Sequence, residues 1–287
     1  MKIRLILLTL LFFSCAILAQ QFESPESVEF DEKNNRYLVS NKANSSGNSS
    51  ILQIDMNGEN ITTFALLDTV KTAALEIVGD TLFAASDYPS VMGFSLSTGQ
   101  HLFNWQLDAA TSGAEKFNGL AHDPHGNLYV SEPKKFYVYK LDLSDGSYKR
   151  IDSETKINGL HYDVKNDRLL VCGWNNPAKI QALNYGESTL TTVYTGDKNK
   201  FQDIDGLTID NCGNIYTSSW SLNKIILFRD GVFANPVDYL PNLNGPADIG
   251  YNSRDNVLMI PNLKGNNVML HIIDDECDNT ARMQSRK

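Results

Sequence analysis

The chain has 287 residues, of which 25 are basic and 34 acidic, and its formal charge is −9. This length can hold one large all-β domain without a second domain. An acidic chain without a basic stripe argues against a nucleic-acid partner. Beyond the N-terminal segment, no stretch is long and apolar enough to suggest a membrane span.

The first nineteen residues are predicted to be a secretory signal peptide. Lys2 and Arg4 form a basic start, residues 5–13 are apolar, and Ala19 is a small residue at a candidate cleavage position. Cys15 raises lipid attachment as an alternative, but the residues before it make a poor lipobox. We therefore expect a secreted or periplasmic protein and regard a lipoprotein as the less favoured reading.

A short strand pair then recurs six times. The four clearest copies begin at Glu26, Asn118, Asn158 and Asp205, and each continues through a short strand-like stretch, an aspartate, a turn and a second strand-like stretch. Weaker copies begin at Ala73 and Pro246, with Asp248 as the alternative to Pro246 at the sixth position. Copies spaced 40 to 47 residues apart, with four short strands in each, are typical of propeller blades.

The repeat predicts an all-β, six-bladed β-propeller over residues 20–274, with four-stranded antiparallel blades around a central channel. Residues 275–287 are predicted to form a polar C-terminal tail. In the fifth copy the expected strands are 205–210, 214–220, 224–228 and 231–239. The sixth copy lacks an evident fourth strand, so either residues 20–22 supply it or that blade has three strands. The Ser- and Asn-rich loop over residues 41–50 is predicted to be mobile and to lie over the channel mouth.

The residue that starts each inner strand should lie at one mouth of the channel. Glu26, Asn118, Asn158 and Asp205 would then meet as two carboxylates and two amides, which are the oxygen ligands that Ca²⁺ prefers. Zinc would favour His or Cys, and neither occurs at this register. Without a cation, the two carboxylates would repel each other. These four residues are therefore predicted to hold a divalent cation, with Ca²⁺ favoured; a polar, water-filled channel and a purely structural metal are the alternatives.

These motifs resemble the senescence-marker-protein (regucalcin)/gluconolactonase family of six-bladed propellers and, more distantly, the paraoxonases. The resemblance covers essentially the whole mature chain. The family's metal ligands are Glu, Asn, Asn and Asp in blades one, three, four and five, and Glu26, Asn118, Asn158 and Asp205 match them in type and blade. The resemblance implies lactone hydrolysis, in which the metal polarises the ring carbonyl and Asp205 helps to activate water. Lys116 stands where the family has a substrate-gripping Arg.

Four side chains are candidates for substrate binding: Lys116, Trp174, Trp220 and His161. The two tryptophans end matching second strands, where they form either a ligand wall or inter-blade packing. His161, like His122, lies on an inner strand, where a histidine acts as a base or as a satisfied interior residue. Asp205 is the predicted catalytic residue.

Two classes of function follow from these features. The first is an exported, calcium-dependent hydrolase of a small lactone or ester. The second is a non-catalytic propeller that binds a sugar, peptide or protein partner and uses calcium structurally. Three cysteines follow the signal segment, Cys172, Cys212 and Cys277, and none has metal-like spacing to a histidine. We interpret them as structural or incidental, with a bridge between Cys212 and Cys277 as one option.

Overall fold

The computed structural model describes residues 22–42, 49–67 and 70–274. These residues form 23 β-strands and three helices of three or four residues. The first blade contains β1 (Pro25–Asp31), β2 (Arg36–Asn41), β3 (Ser49–Asp55) and β4 (Ile61–Leu67). The second contains β5 (Thr72–Val78), β6 (Thr81–Ser86), β7 (Ser90–Ser95) and β8 (His101–Gln106). The third contains β9 (Leu120–His122), β10 (Asn127–Glu132), β11 (Tyr137–Asp142) and β12 (Tyr148–Asp152).

The fourth blade contains β13 (Ile157–Asp163), β14 (Arg168–Gly173), β15 (Lys179–Asn184) and β16 (Thr191–Thr195). The fifth contains β17 (Ile204–Ile209), β18 (Ile215–Ser219), β19 (Lys224–Phe228) and β20 (Val237–Leu240). The sixth contains β21 (Gly250–Asn252), β22 (Val257–Asn262) and β23 (Asn267–Ile272). The helices are α1 (Ala109–Ser112) and two 3-10 turns, Val164–Asn166 and Arg229–Gly231.

The predicted six-bladed β-propeller is confirmed. Five sheets pair their strands consecutively as four-stranded antiparallel blades, and the sixth sheet has three strands within the described residues. Of residues 20–22, considered above as its fourth strand, 20 and 21 lie outside the described residues, and Phe22 is in no strand but packs against the cluster between the sixth and first blades. The predicted signal peptide, the C-terminal tail and residues 43–48 of the predicted mobile loop also lie outside the described residues. The third strand of the fifth blade matches its predicted bounds. The outer strand begins at Val237 instead of residue 231, after the 3-10 turn Arg229–Gly231 and a short loop.

The repeated aspartate fixes the turn between the first two strands of a blade. Asp123 Oδ1 accepts hydrogen bonds from the backbone N–H groups of His125 and Asn127, and its Oδ2 accepts one from the Tyr129 hydroxyl. Asp210 makes the same set of bonds in the fifth blade. An aspartate that binds the backbone of its own turn stabilises that turn locally, so the repeat motif encodes the hairpin.

The core consists of six apolar clusters, one at each interface between neighbouring blades. The cluster between the sixth and first blades includes Val28, Leu52 and Met259, all nearly fully buried. A parallel bridge between Ser27 and Asp248 joins the same two blades near the channel. The chain therefore closes its ring by packing its last blade on its first.

Strand pairing corrects the sixth position of the repeat. Pro246 pairs with Asn262 in the way that Pro25 pairs with Asn41 and Ile204 with Ser219. Because Glu26 and Asp205 each follow the paired residue, the equivalent position in the sixth blade is Ala247. The predictions of Pro246 and of Asp248 were each wrong by one residue.

The cysteines with described surroundings have structural roles. Cys172 is buried and its thiol donates to the Gly159 carbonyl at 3.3 Å, while burial raises its pKa well above the ordinary value. A thiol of this kind is a poor nucleophile. Cys212 is disulfide-bonded, and Cys277 lies outside the described residues. No helix in the described part of the chain is long and apolar enough to cross a membrane.

Candidate metal centre

The starts of the inner strands follow one another around the channel. The Asp248 N–H donates to the Glu26 carbonyl at 2.8 Å, and the Ala74 N–H donates to the Asn118 carbonyl at 3.0 Å. On the other side of the ring, a methyl group on Gly159 would lie 2.4 Å from the Asp205 carbonyl. The six equivalent positions therefore surround the axis, and two of them, Ala73 and Ala247, carry only methyl groups.

All four predicted ligands line one cavity of about 590 Å³ at this mouth. They are almost fully buried, with exposed fractions of 3% for Glu26, 8% for Asn118, 7% for Asn158 and 4% for Asp205. The remaining lining comes from loops at the same end of the blades: Ser24, Lys42, Lys71, Asp87, Lys116, Pro133, Lys134, Lys156, Trp174, Trp220 and Leu263.

Three oxygen atoms in this set are buried without any hydrogen-bond partner among the described residues. They are Glu26 Oε2, Asn158 Oδ1 and Asp205 Oδ1. A buried oxygen that accepts no hydrogen bond costs free energy of folding, and a hard cation would satisfy several such oxygens at once. The donor set therefore fits a divalent cation of the calcium type. Within the described residues no group of three or more His, Cys, Asp or Glu is arranged for a metal, so both asparagine oxygens would be needed.

Electrostatics at the mouth also favour an added positive charge. Burial raises the pKa of Asp205 well above its ordinary value, and the charges of Glu26 and Asp248 raise it further. Lys42 already neutralises part of this negative charge, because its Nζ lies 2.9 Å from Glu26 Oε1. Burial alone would lower the pKa of Lys42, but Glu26 and then Asp205 raise it above the ordinary value, so the lysine stays charged. It contacts one Glu26 oxygen and leaves the other unpaired.

Three of the four predicted substrate residues face this cavity. Lys116 lies in its wall and its Nζ is 3.2 Å from Asp87 Oδ1. Trp174 and Trp220 pack against each other across the fourth and fifth blades, with ring centroids 5.5 Å apart, and both also line the cavity. The tryptophans thus combine the two roles considered from the sequence, inter-blade packing and a ligand wall.

His161 lies elsewhere and is not among the residues that line this cavity. It follows Asn158 by three residues on the inner strand, which places it about 10 Å further along the channel, and it lines a second cavity of about 420 Å³. Burial lowers its pKa to about 4. We therefore no longer assign His161 to the substrate. His122, also inside the channel, pairs its Nδ1 with Glu76 Oε1 at 2.5 Å.

The cavity is also lined by basic residues that were not predicted from the sequence. Lys71 and Lys156 stand two residues before the site register, as Lys116 does, in three consecutive blades. Lys42 and Lys134 come from loops that follow second strands. The common offset of Lys71, Lys116 and Lys156 was visible in the sequence, whereas the loop residues required the folded blades.

Solved structures share this fold. The gluconolactonase XC5397 from Xanthomonas campestris superposes with a TM-score of 0.72 at 16% identity, covering 88% of this chain and 87% of that one. A streptogramin B lyase gives 0.64 at 16% identity over 91% of this chain and 86% of that one. An auxiliary nutrient binding protein from Bacteroides thetaiotaomicron gives 0.68 at 12% identity over 86% and 68%. No protein-family model and no curated protein sequence matches the chain.

At these sequence identities the similarity establishes the fold only, and any function must be argued from the residues of the site. The fold and the mouth together define a six-bladed β-propeller with a buried, oxygen-lined candidate cation centre. Above that centre lies an open cavity with a tryptophan wall and several lysines.

Proposed function

We propose that this protein is an exported, calcium-dependent hydrolase of small lactones or related esters. The observation that carries the proposal is the set of three buried, unpartnered oxygens on Glu26, Asn158 and Asp205 at the floor of an open cavity. The gluconolactonase of the same fold supports the reaction class at distant similarity. The sequence signals of the first nineteen residues support export.

Glu26, Asn118, Asn158 and Asp205 would hold the cation through their side-chain oxygens. When bound, a divalent cation supplies a Lewis acid that stabilises negative charge on a carbonyl oxygen. Each residue comes from a different blade, so inter-blade packing fixes the relative positions of the four oxygens before substrate arrives. Such preorganisation is what makes electrostatic stabilisation effective in a site that excludes much of the water.

The chain's own proton acceptor for hydrolysis is Asp205. Its carboxylate lines the cavity, and a water molecule held at the proposed cation would lie beside it. As the water oxygen bonds to the lactone carbonyl carbon, Asp205 takes one of its protons. The ring C–O bond then breaks, and the departing ring oxygen takes up that proton to become a hydroxyl group. The product is the open hydroxy acid.

The remaining cavity residues bind and orient the substrate. Trp174 and Trp220 offer a half-buried aromatic surface on which the apolar face of a sugar-like ring can pack. Lys116, held by Asp87, presents a fixed donor to a substrate hydroxyl or carboxylate. Trp174→Ala is therefore expected to raise KM more than it lowers kcat.

The test is a lactone panel assayed by acid release with calcium-loaded protein. Hydrolysis above the buffer rate is expected for at least one aldono-, γ- or δ-lactone, with loss of activity in a chelator and recovery on addition of Ca²⁺. Asp205→Asn should lower kcat by about 10²–10⁴-fold. Asp197→Asn changes an exposed aspartate that forms an ion pair with Lys200; it is the matched control and should retain activity. If no lactone or ester is hydrolysed, the proposal is wrong and a non-catalytic binding role replaces it.

A further inference from the structure

The cavity above the candidate metal centre is basic, although the chain as a whole is acidic. Five lysines line it, Lys42, Lys71, Lys116, Lys134 and Lys156, against three carboxylates, those of Glu26, Asp87 and Asp205. Its lining therefore carries a formal charge of +2 in a protein whose formal charge is −9. A bound divalent cation would raise the local value further.

The excess of basic over acidic residues is confined to the cavity at this mouth of the channel, among the three cavities compared. The cavity of about 420 Å³ around His161 has Lys165 and Arg168 in its lining, opposed by three aspartates. A third cavity of about 480 Å³ has Lys200 and Lys224, opposed by two aspartates. Only the cavity with the oxygen quartet, among these three, has more basic than acidic groups, so an even scatter of surface lysines does not account for it.

Three of the lysines at this mouth have no carboxylate partner among the described residues. Lys42, Lys116 and Lys134 form ion pairs with Glu26, Asp87 and Glu115. In contrast, Lys156 lies over the ring of Trp174 at 5.8 Å, Lys264 lies over Trp220 at 3.3 Å, and Lys71 is exposed at the cavity wall. We call Lys71, Lys156 and Lys264 the lysine rim.

Two lysines of the rim are close along the chain to the register of the proposed metal centre. Lys71 and Lys156 stand two residues before the site register, which is at most about 7 Å of extended chain. This is comparable to the span from the carbonyl group to the far end of a six-carbon sugar lactone. Trp174 and Trp220 contact the rim lysines and also line the cavity.

We propose that the ligand of this cavity is anionic: a sugar-acid lactone that carries a carboxylate or phosphate at the end remote from its carbonyl group, held by the lysine rim. That the ligand is a lactone rests on the proposed function, whereas its anionic group is inferred from the charges at the cavity alone. Ammonium groups attract a compact anion as point charges, and clefts lined by one sign of charge raise the local concentration of ligands of the opposite sign. The neutral substrate of an ordinary gluconolactonase would leave the rim without a partner.

The kinetic test compares three lactones that differ at the sixth carbon: glucono-δ-lactone, 6-phosphoglucono-δ-lactone and glucaro-1,4-lactone. The calcium-loaded protein is expected to show a kcat/KM at least tenfold higher for one of the two anionic lactones than for the neutral one. Which of the two is preferred distinguishes phosphate from carboxylate. The preference should fall as KCl is raised from 0.05 to 0.5 M, because salt screens exposed charges.

Substitution of the rim supplies the structural control. Lys71→Gln, Lys156→Gln and Lys264→Gln are made singly and together, and each lost ammonium group is expected to lower the ratio of anionic to neutral kcat/KM by about fivefold to tenfold. Lys149→Gln, on the outer strand of the third blade and away from the mouth, should leave the ratio unchanged. Circular-dichroism melting curves establish that every variant is folded before its kinetics are compared.

A binding experiment separates this inference from the proposed hydrolysis. Tryptophan fluorescence of the calcium-loaded protein is titrated with D-glucitol and with D-glucitol 6-phosphate, neither of which can be hydrolysed as a lactone. Tighter binding of the phosphate that the triple variant loses supports an anionic ligand even if no lactone is turned over. Lactone hydrolysis with no anionic preference, or a preference that the triple variant retains, would overturn the inference and leave the hydrolase standing. Equal or undetectable binding of both polyols without lactone turnover overturns both.

Discussion

Single buried atoms give the mouth of the channel its chemical character. Glu26 Oε2, Asn158 Oδ1 and Asp205 Oδ1 are each inaccessible and each without a hydrogen-bond partner in the described part of the chain. One such oxygen can be a local defect of packing. Three on different blades that line one cavity support the proposed cation, which would bind several oxygen ligands at once.

Calcium is expected to stabilise the folded protein through these oxygens. A ligand that binds only the native state at a hundredfold excess over its Kd adds about 2.7 kcal/mol to the free energy of unfolding. The Tm of the chelator-treated protein should therefore rise by several degrees on addition of Ca²⁺. Asp205→Ala should remove the increase, and Asp197→Asn should keep it. Identical melting curves with and without Ca²⁺, together with metal analysis that finds no bound cation, would rule out the centre.

A second residue-scale feature is the protonation of Asp248 inside the channel. Burial raises its pKa to about 8, the charges of Glu26 and Glu76 add to this, and a hydrogen bond from the Ser27 hydroxyl opposes it. In the unfolded chain the same carboxyl has a pKa of about 3.9. Between these two values the folded state holds a proton that the unfolded state releases, so stability falls as pH rises.

Stability of the metal-free protein is therefore expected to decrease between pH 6.5 and 8. Below this window His161 has the opposite effect on stability. Burial lowers the pKa of His161 to about 4, so the unfolded state binds a proton that the folded state does not, and stability rises with pH there. Urea unfolding in chelator should show a loss of about 1–2 kcal/mol across the window. Asp248→Asn should show a smaller slope. An unchanged slope in that variant would mean that other groups carry the pH dependence.

At the scale of the element, the inner strands depend on glycine for their close approach. Gly119, Gly159 and Gly206 each follow a proposed ligand, and a methyl group on Gly159 would lie 2.4 Å from the Asp205 carbonyl and 2.7 Å from the α-carbon of Gly206. The neighbouring atoms are backbone and cannot rotate away. The repeated Asn-Gly and Asp-Gly pairs thus set the diameter of the ring of proposed ligands as well as its composition.

Gly159→Ala is expected to destabilise the protein by about 3 kcal/mol or more, since overpacking against fixed backbone lies at the upper end of the usual 1–3 kcal/mol range. It should also weaken calcium binding, because Asn158 and Asp205 would be pushed apart. Gly186→Ala is the comparison: that glycine has φ of +85° and no heavy atom near its added methyl group. Its cost of about 1–2 kcal/mol should leave calcium binding unchanged. Equal calcium affinity in both variants would contradict a role for the close approach.

At the scale of the whole molecule, ring closure is expected to make the six sheets unfold as one cooperative unit. Each blade buries its apolar faces only against its two neighbours, and six clusters fill the six interfaces. The interface between the last and first blades is formed by residues far apart in sequence. Its closure has the largest loop entropy to overcome, and the cation centre near it depends on that closure through Glu26.

A truncation in the closing interface should cost as much as one in an internal interface. Met259→Ala and Leu128→Ala remove nearly fully buried side chains from the closing interface and from the interface of blades two and three. Each is expected to lower the free energy of unfolding by about 2–5 kcal/mol within a single transition. A cost below about 1 kcal/mol for Met259→Ala alone, or a separate early transition, would show that the ring opens independently.

The sequence by itself was sufficient to identify the repeat and, from it, the propeller fold. Local signals were sufficient for this: the aspartate that binds its own turn, the alternation of apolar residues, and the spacing of the copies. Together they predicted the six blades and the inner-strand positions of Glu26, Asn118, Asn158 and Asp205, because a closed ring brings equivalent positions to one axis. Cation binding by these four residues and the reaction at this site are proposals.

Only the tertiary structure decided which other side chains share that mouth. His161 was assigned to the substrate from its inner strand, but three residues of extended chain carry it away from the cavity. The sixth position proved to be Ala247 because strand pairing, which depends on a partner strand, sets the register there. Lys42 meets Glu26 within the first blade, where β1 pairs with β2. The lysine rim, in contrast, comes from segments of different blades. The proximity of its three lysines depends on the angle between blades, which packing sets and no local pattern in the sequence encodes.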